Sequence, residues 1–435
     1  MRPSWLKTRP SWPVSWGMAR SSRRRCRLLK QRSKECFIIP LIITETSVMK
    51  KWRFAMLLAA ALALPFGASA ADKPAIKLGT LLPQTGPLGA YGKSQQLAIE
   101  LAVEDVNKAG GVNGSMIDMQ FADTQMDPGQ AVLMFRQFAN DGAFAVIGPM
   151  TGTQWETVSP LANRMGVPAI TATAAKPGIT IRPWTIRLQP PDDLFIADGF
   201  KDFLRVYPDT KRIVVVADVR EASGKAGADA YMQLAKENGV ELIELVEFST
   251  RATDLSPVAI KVKSLNPDAI MVSALGPNAL QLAKEFNVQG IEAPVLGNSL
   301  IWPGPFVYTV GDNGKNWHSM GFTTVNSSTG DNELNTAYVE RFLERADDTM
   351  GDPANTANWS LSYDAVLLYA DIMRKNNIDG NTPADEAREL IKDAFVGLET
   401  FEGIQKYEFQ ESGDAYIPGR VLSINPETKM WIFAD

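Results

Sequence analysis

The chain has 435 residues, with 44 Lys+Arg, 49 Asp+Glu, one His and two Cys, for a formal net charge of −5. Residues 1–70 hold 14 of the basic side chains, 2 of the acidic ones and both cysteines (Cys26 and Cys36), so the other 365 residues carry 30 against 47, a formal charge of −17. That balance argues against a nucleic-acid partner, whose binding rests on neutralised phosphates, and against an anionic membrane surface; the absence of cysteine after residue 70 removes disulfides and thiolate chemistry there.

In chain order, residues 1–48 combine three tryptophans, scattered prolines and the basic run at 23–27 with no clear periodicity. Residues 49–70 (MKKWRFAMLLAAALALPFGASA) have the build of a secretory signal peptide: basic Lys50, Lys51 and Arg53, an apolar run over 54–64, and Ala68-Ser69-Ala70 for cleavage. The apolar run is about half of the roughly 20 residues a membrane span needs, and no Cys stands at the cleavage site to take a lipid. Translation is therefore expected to begin at Met49, with 1–48 a mis-assigned upstream extension, and both stretches are set aside from fold reasoning.

The remainder alternates strand and helix. Residues 76–82 form a short apolar run, Gly86, Pro87 and Gly89 punctuate a turn, and Ile99, Ala102, Val103 and Val106 recur at helical spacing before Gly110 and Gly111. Strands are predicted at 115–122, 143–147 and 167–171, with helices at 128–140 and 154–165 between them. A second block of the same kind follows 186–193. It has strands at 211–217, 241–248, 268–273 and 294–297 and helices at 224–239, 257–265 and 277–289. Helices at 333–346, 360–375 and 383–395 and strand-like segments at 407–409, 419–424 and 430–433 complete the chain. This rhythm predicts an α/β protein of two Rossmann-like lobes with mainly parallel sheets.

Chemistry of the catalytic kind has few carriers. Gly92-Lys93-Ser94 resembles the end of a P-loop, but Pro87 occupies the position where the first glycine must stand, so no nucleotide site is expected. His318 beside Trp317 lacks the partners that tune a catalytic imidazole and reads as a surface or packing residue. The carboxylate pairs Asp192-Asp193 and Asp347-Asp348 read as helix starts or solvated faces rather than a glycosidase pair across a cleft. With no metal-spaced His/Cys cluster and no nucleophile motif, the expectation is a non-enzyme without metal or cofactor. Two lobes without catalytic machinery suggest binding between them.

At this point the chain resembles a family, the type I periplasmic solute-binding proteins of ABC importers, in the branched-chain amino-acid and amide-binding group. The resemblance runs over about 76–431 and rests on IKLGTLLPQTGPLGAYGKSQQLAIELAVEDVNKAGGVNG, DTQMDPGQAV, AVIGP, GVPAITATAA and YDAVLLYADIM in that order. It implies the type I periplasmic binding protein fold with three hinge crossovers near 188, 321–325 and 401–406. Lobe 1 would then comprise 74–188 plus 326–403, and lobe 2 would comprise 189–325 plus 404–435. It also implies a monomer in the periplasm that closes over a small-molecule ligand and docks on a membrane permease driven by ATPase subunits, without inserting in the membrane. The alternative is an extracytoplasmic sensor using the same module to signal to a membrane receptor.

For the ligand, the resemblance points to the loops after the third and fourth strands. The first offers Thr151, Gly152 and Thr153, with Gly152 where a serine usually sits. The second offers Thr171, Thr173, Ala174 and Ala175, with Ala175 in place of a threonine. In the second lobe, family aromatics are replaced by Ser223 and Leu275, and the acidic partner of a ligand ammonium falls at Asn298 and Ser299, although Asp218 and Glu221 lie nearby. An unpaired ammonium would be costly to desolvate, so a ligand without a free α-amino group is expected: an organic or aromatic carboxylate, or an amide. Tyr91 and Trp302 are the aromatic candidates for covering its apolar body.

Overall fold

A computed structural model of the chain describes residues 73–249, 251–299, 301–302, 306–350 and 359–434. The upstream extension, the signal peptide, both cysteines and the Asp348 side chain lie outside the described residues.

Five short, largely buried strands open the chain: β1 (Ile76–Leu82), β2 (Ile117–Asp123), β3 (Ala145–Ile147), β4 (Ala169–Thr171) and β5 (Thr185–Arg187). They form a wholly parallel sheet in the order β2-β1-β3-β4-β5. Parallel pairing needs crossovers, and the helices α1 (Gly89–Lys108), α2 (Pro128–Asn140) and α3 (Gly152–Met165) supply them. Local chemistry starts and stops these helices. The Asp127 carboxylate accepts from the Gln130 amide at 2.7 Å ahead of Pro128, whose missing N–H costs nothing in a first turn. Thr151 accepts from the Gln154 amide at 3.4 Å, and Gly166, with φ of 63°, ends α3 in the left-handed region.

The next block runs α4 (Asp192–Val206), β6 (Arg212–Asp218), α5 (Ala222–Glu237), β7 (Glu241–Phe248), α6 (Ser256–Leu265), β8 (Ala269–Ser273), α7 (Gly276–Val288), β9 (Val295–Gly297), the single-turn α8 (Phe306–Thr309) and β10 (Trp317–Gly321). The chain then forms α9 (Asn332–Arg345), α10 (Ser360–Lys375) and α11 (Ala384–Val396). After them come β11 (Thr400–Glu402), β12 (Lys406–Phe409), β13 (Ala415–Tyr416), β14 (Arg420–Ile424) and β15 (Trp431–Phe433). The second sheet has the order β15-β14-β10-β9-β8-β6-β7, parallel from β7 to β10, with β14 and β15 added antiparallel at one edge. The strand β6 is buried on both faces through Ile213, Val214, Val215 and Val216, as its β-branched run requires.

Having built the second sheet, the chain returns to the first. Helices α9 and α10 pack on α1, where Arg341 pairs with Glu104 and Asp105, and the Tyr363 hydroxyl donates to Asp105 at 2.5 Å. The antiparallel sheet β11-β12-β13 is tied to both neighbours. The Tyr407 hydroxyl donates to Asp364 of α10 at 2.7 Å, and Asp414 bridges to Arg187 at the end of β5.

One feature departs from the sequence reading and two decide between alternatives it left open. First, α4 is a full helix whose Phe195, Ile196, Phe200 and Phe203 are buried; the two prolines ahead of it obscured that spacing. Second, of the two roles expected for it, surface or packing, His318 takes packing. It lies in β10, only 5% exposed, with Nε2 at 2.9 Å from the Tyr207 hydroxyl and Nδ1 at 3.2 Å from the Val295 carbonyl, and burial lowers its pKa. Third, Asp192 begins a helix as expected but is buried rather than solvated. Gly92-Lys93-Ser94 falls inside α1, where a Cβ on Gly92 would stand 2.1 Å from the Pro83 carbonyl oxygen, so this glycine serves helix-to-loop packing.

Candidate functional site

The carboxyl ends of parallel strands from both sheets face one another across a narrow cleft, whose empty space together with the open solvent at its mouth is about 630 Å³. This is where α/β sheets place their ligands, because the loops and helix N-termini that follow the strands converge there. The β1–α1 loop and the start of α1 contribute Leu88 and Tyr91, the β3–α3 loop Met150, Thr151 and Gly152, and the segment after β4 Thr173. From the other side come Glu221 and Ser223 at the start of α5, Leu275 and Gly276 at the start of α7, and Ser299 and Trp302 after β9. Gln189, just past β5, and Trp359, just before α10, complete the wall.

Apolar groups make most of this surface. Tyr91 meets Trp359 edge-on with ring centroids 5.9 Å apart, and Trp302 meets Phe322 at 4.7 Å in the same fashion, so each ring is fixed by a neighbour. Burial pushes the Tyr91 hydroxyl well above its ordinary pKa, so it stays a neutral phenol.

The polar groups divide into those already used and those left over. Thr173 donates to the Met150 carbonyl at 3.0 Å and accepts from Gln95 Nε2 at 3.2 Å, so its hydroxyl is engaged within the wall. Thr151 is turned to its capping partner Gln154. Glu221 accepts from the Ser223 amide at 3.3 Å through one oxygen and from the Thr153 hydroxyl at 2.5 Å through the other. By contrast, Gln189 Nε2 and Ser223 Oγ are buried with no hydrogen-bond partner among the described residues. Two donors left unsatisfied beside a cleft call for an acceptor. The first turns of α3, α5 and α7 face the same space and add their positive ends to it.

Of the residues nominated from sequence, the structure brings Tyr91, Thr151, Gly152, Thr173, Ser223, Leu275, Ser299 and Trp302 to the cleft wall. The others stand behind it. Thr171 donates to the Pro149 carbonyl at 2.8 Å and accepts from the Ala174 amide at 3.3 Å. The carbonyl oxygens of Ala174 and Ala175 accept from Arg187 Nη1 at 3.0 Å and the Asp192 amide at 2.8 Å. Asn298 Nδ2 donates to Ser273 Oγ at 3.1 Å, and Thr153 reaches Glu221 rather than the cavity. Arg187 is fully buried, paired with Asp414 at 2.7 Å, and holds the 174–176 loop through carbonyl contacts.

Residues the sequence did not nominate are Leu88, Met150, Gln189, Gly276 and Trp359, while Glu221 had been noted only as a neighbour. The premise that no carboxylate faces the cleft is therefore corrected by Glu221, which projects there because it is the N-cap of α5. Among the described residues no group of three or more His, Cys, Asp or Glu could hold a metal ion, and no helix is long and apolar enough to cross a membrane.

A two-lobed α/β architecture around a largely apolar cleft is the build of a small-molecule binding site. The chain belongs to the periplasmic binding protein family, whose sequence pattern matches residues 75–409. Membership of this family of substrate-binding proteins implies an extracytoplasmic location. The chain is 28% identical over 243 residues to "Leu/Ile/Val-binding protein homolog 3" of Brucella melitensis, a stretch covering 56% of this chain and 66%, just under two thirds, of that relative. It is 25% identical over 372 residues to the leucine-, isoleucine-, valine-, threonine- and alanine-binding protein of Pseudomonas aeruginosa, covering 83% and 93%. Its fold is similar to that of a solute-binding protein of an ABC transporter from R. palustris solved in complex with benzoate. The TM-score there is 0.70 at 18% identity, over 82% of this chain and 95% of that one.

Proposed function

We propose that this protein is the solute-capturing subunit of an ABC importer. In this reading residues 49–70 direct secretion, the two lobes close on a small molecule, and the closed form docks on a membrane permease with its ATPase subunits. The lobes would divide near 188, 321–325 and 401–406, so that ligand contacts from both sides favour closure.

The ligand this cleft fits best is a small organic or aromatic carboxylate, or an amide, without a free α-amino group. The observation that carries this is the pair of unsatisfied donors, Gln189 Nε2 and Ser223 Oγ, beside an apolar wall that includes Tyr91, Leu275, Trp302 and Trp359. An acceptor group on the ligand satisfies both donors while its body displaces water from the rings. Glu221 supports a second reading, an apolar α-amino acid whose ammonium meets this carboxylate. The first reading is favoured because Gln189 Nε2 and Ser223 Oγ have no partner among the described residues, whereas each Glu221 oxygen already accepts one hydrogen bond, one of them from across the cleft.

A thermal-shift screen of the secreted form against amino acids, amides, and aliphatic and aromatic carboxylates tests this. A ligand that binds only the native state adds RT ln(1 + [L]/Kd), about 2.7 kcal/mol at a hundredfold excess over Kd. Shifts confined to carboxylates and amides support the first reading, and shifts confined to leucine, isoleucine or valine support the second.

A further inference from the structure

Ser299 lines the cleft but is not free to turn. Its hydroxyl donates to Asp192 Oδ1 at 2.8 Å, and Asp192 is fully buried behind the wall, with no exposure of its own. The second carboxylate oxygen, Oδ2, has no hydrogen-bond partner among the described residues. A serine whose only proton is committed to a carboxylate presents lone pairs and nothing else to whatever lies on its other side. We propose that Asp192 is a positioning residue that makes Ser299 an obligate acceptor, so that the cleft selects ligands carrying a hydroxyl or amide N–H as well as their acceptor group. This rests on the carboxylate-or-amide reading above and narrows it: a ligand with a donor is preferred over its counterpart without one.

The charges around Asp192 decide when the commitment holds. Burial raises its pKa to about 7, while the Ser299 hydrogen bond and Arg187, itself paired with Asp414, pull it down and Asp193 and Glu221 push it up. The buried Tyr231 hydroxyl, which also has no partner among the described residues, senses the same charge. When Asp192 is ionised, Ser299 must donate to it. When Asp192 is protonated, its own O–H can donate to Ser299 Oγ, and the serine proton is released to face the cleft. The preference for donor-bearing ligands therefore rises with pH.

Calorimetric titration of the secreted protein with benzoate, 4-hydroxybenzoate and benzamide between about pH 5.5 and 8.5 tests this. Wild-type protein should favour 4-hydroxybenzoate and benzamide over benzoate by a ratio that grows about tenfold across the range, the worth of one good hydrogen bond. Asp192→Asn should flatten that slope, and Ser299→Ala should abolish the preference at every pH. A ratio independent of pH in the wild type, or an unchanged slope in Asp192→Asn, overturns the proposal. If none of the three probes binds, the ligand reading fails and the Asp192–Ser299 link is judged alone, by a ligand-free double-mutant cycle in urea. A coupling that grows with pH sustains the link, and additive effects at both ends of the range dismiss it.

Discussion

The Thr153 hydroxyl donates to the Glu221 carboxylate at 2.5 Å, joining the first turn of α3 to the N-cap of α5 across the mouth of the cleft. These elements follow strands of different sheets, so in the closing motion proposed above the contact forms only as the cleft shuts. Replacing Thr153 by Val keeps the shape and removes the donor. Ligand affinity should fall by about tenfold to a hundredfold, the net worth of one hydrogen bond to a charged group, while the ligand-free unfolding midpoint stays put. Calorimetry paired with urea unfolding checks this, and unchanged affinity would remove the contact from the closing mechanism.

Gly152 gives a sharper test of closure. A Cβ built there stands 2.5 Å from Ser223 Oγ on the opposing wall and 3.2 Å from the Lys176 Cβ on its own side, so alanine forces the Ser223 hydroxyl to turn or the opposing wall to yield. Alanine at the first position of a helix carries no intrinsic penalty. Gly152→Ala should therefore leave the unliganded protein as stable as before or slightly more so, and weaken ligand binding by at least about tenfold. Small-angle scattering of the variant with saturating ligand should show a more open form than wild type.

The alternation of strands and helices was legible because each element carries its own period: β1, α2, β7 and α10 fall at the bounds their patterns imply. The cleft was legible only in part. Tyr91, Ser223 and Ser299 could be placed by resemblance and loop position, since they follow strands whose ends must converge. Gln189 and Trp359 could not, because their importance lies in what tertiary packing leaves unsatisfied or stacked around them. Glu221 shows the difficulty well: a carboxylate before a helix reads as a cap, which it is, and the same geometry also aims it at the cleft. For His318 the lack of catalytic partners leaves surface and packing roles open, and burial of the strand it lies in decides for packing.

Arg187 and Asp414 should prove inseparable. The guanidinium is fully buried, donates to Asp414 Oδ1 at 2.9 Å through Nε, and its remaining reach goes to the carbonyls of Ala174 and Lys176. Burial lowers its pKa and Asp414 raises it back, which shows how much the buried cation depends on its partner. Asp414→Ala leaves that charge with only the weaker attraction of Asp192 and Asp193 and should cost about 3–5 kcal/mol in urea unfolding, whereas the double replacement Arg187→Met with Asp414→Leu should recover a large part of the loss. Equal losses in the single and double variants would show that the pair is held for reasons other than charge compensation.

Asp364 sets a pH dependence that can be read directly. It is fully buried on α10 and accepts from the Ile404 amide at 2.8 Å, the Gln405 amide at 2.9 Å and the Tyr407 hydroxyl at 2.7 Å, with no cation among these partners. Burial raises its pKa to about 7, although the three donors favour the charged form and pull the other way. The folded pKa lies above the unfolded value of about 3.9, so between the two the native state holds a proton that the unfolded state has lost. Stability from this group is therefore present in full below about pH 4 and declines as pH rises towards 7, the reverse of the usual salt-bridged carboxylate. Asp192, also raised to about 7, adds to the same slope. Asp364→Asn should remove its share of the slope and cost about 1–3 kcal/mol near pH 5, because the amide brings two N–H groups, where the protonated acid has a single O–H, to a site ringed by donors. Unfolding free energies of wild type and variant across this range decide the matter. A wild-type stability that climbs between pH 4 and 7 as steeply as in the variant would mean that Asp364 keeps an ordinary carboxylate pKa and that its three donors outweigh its burial.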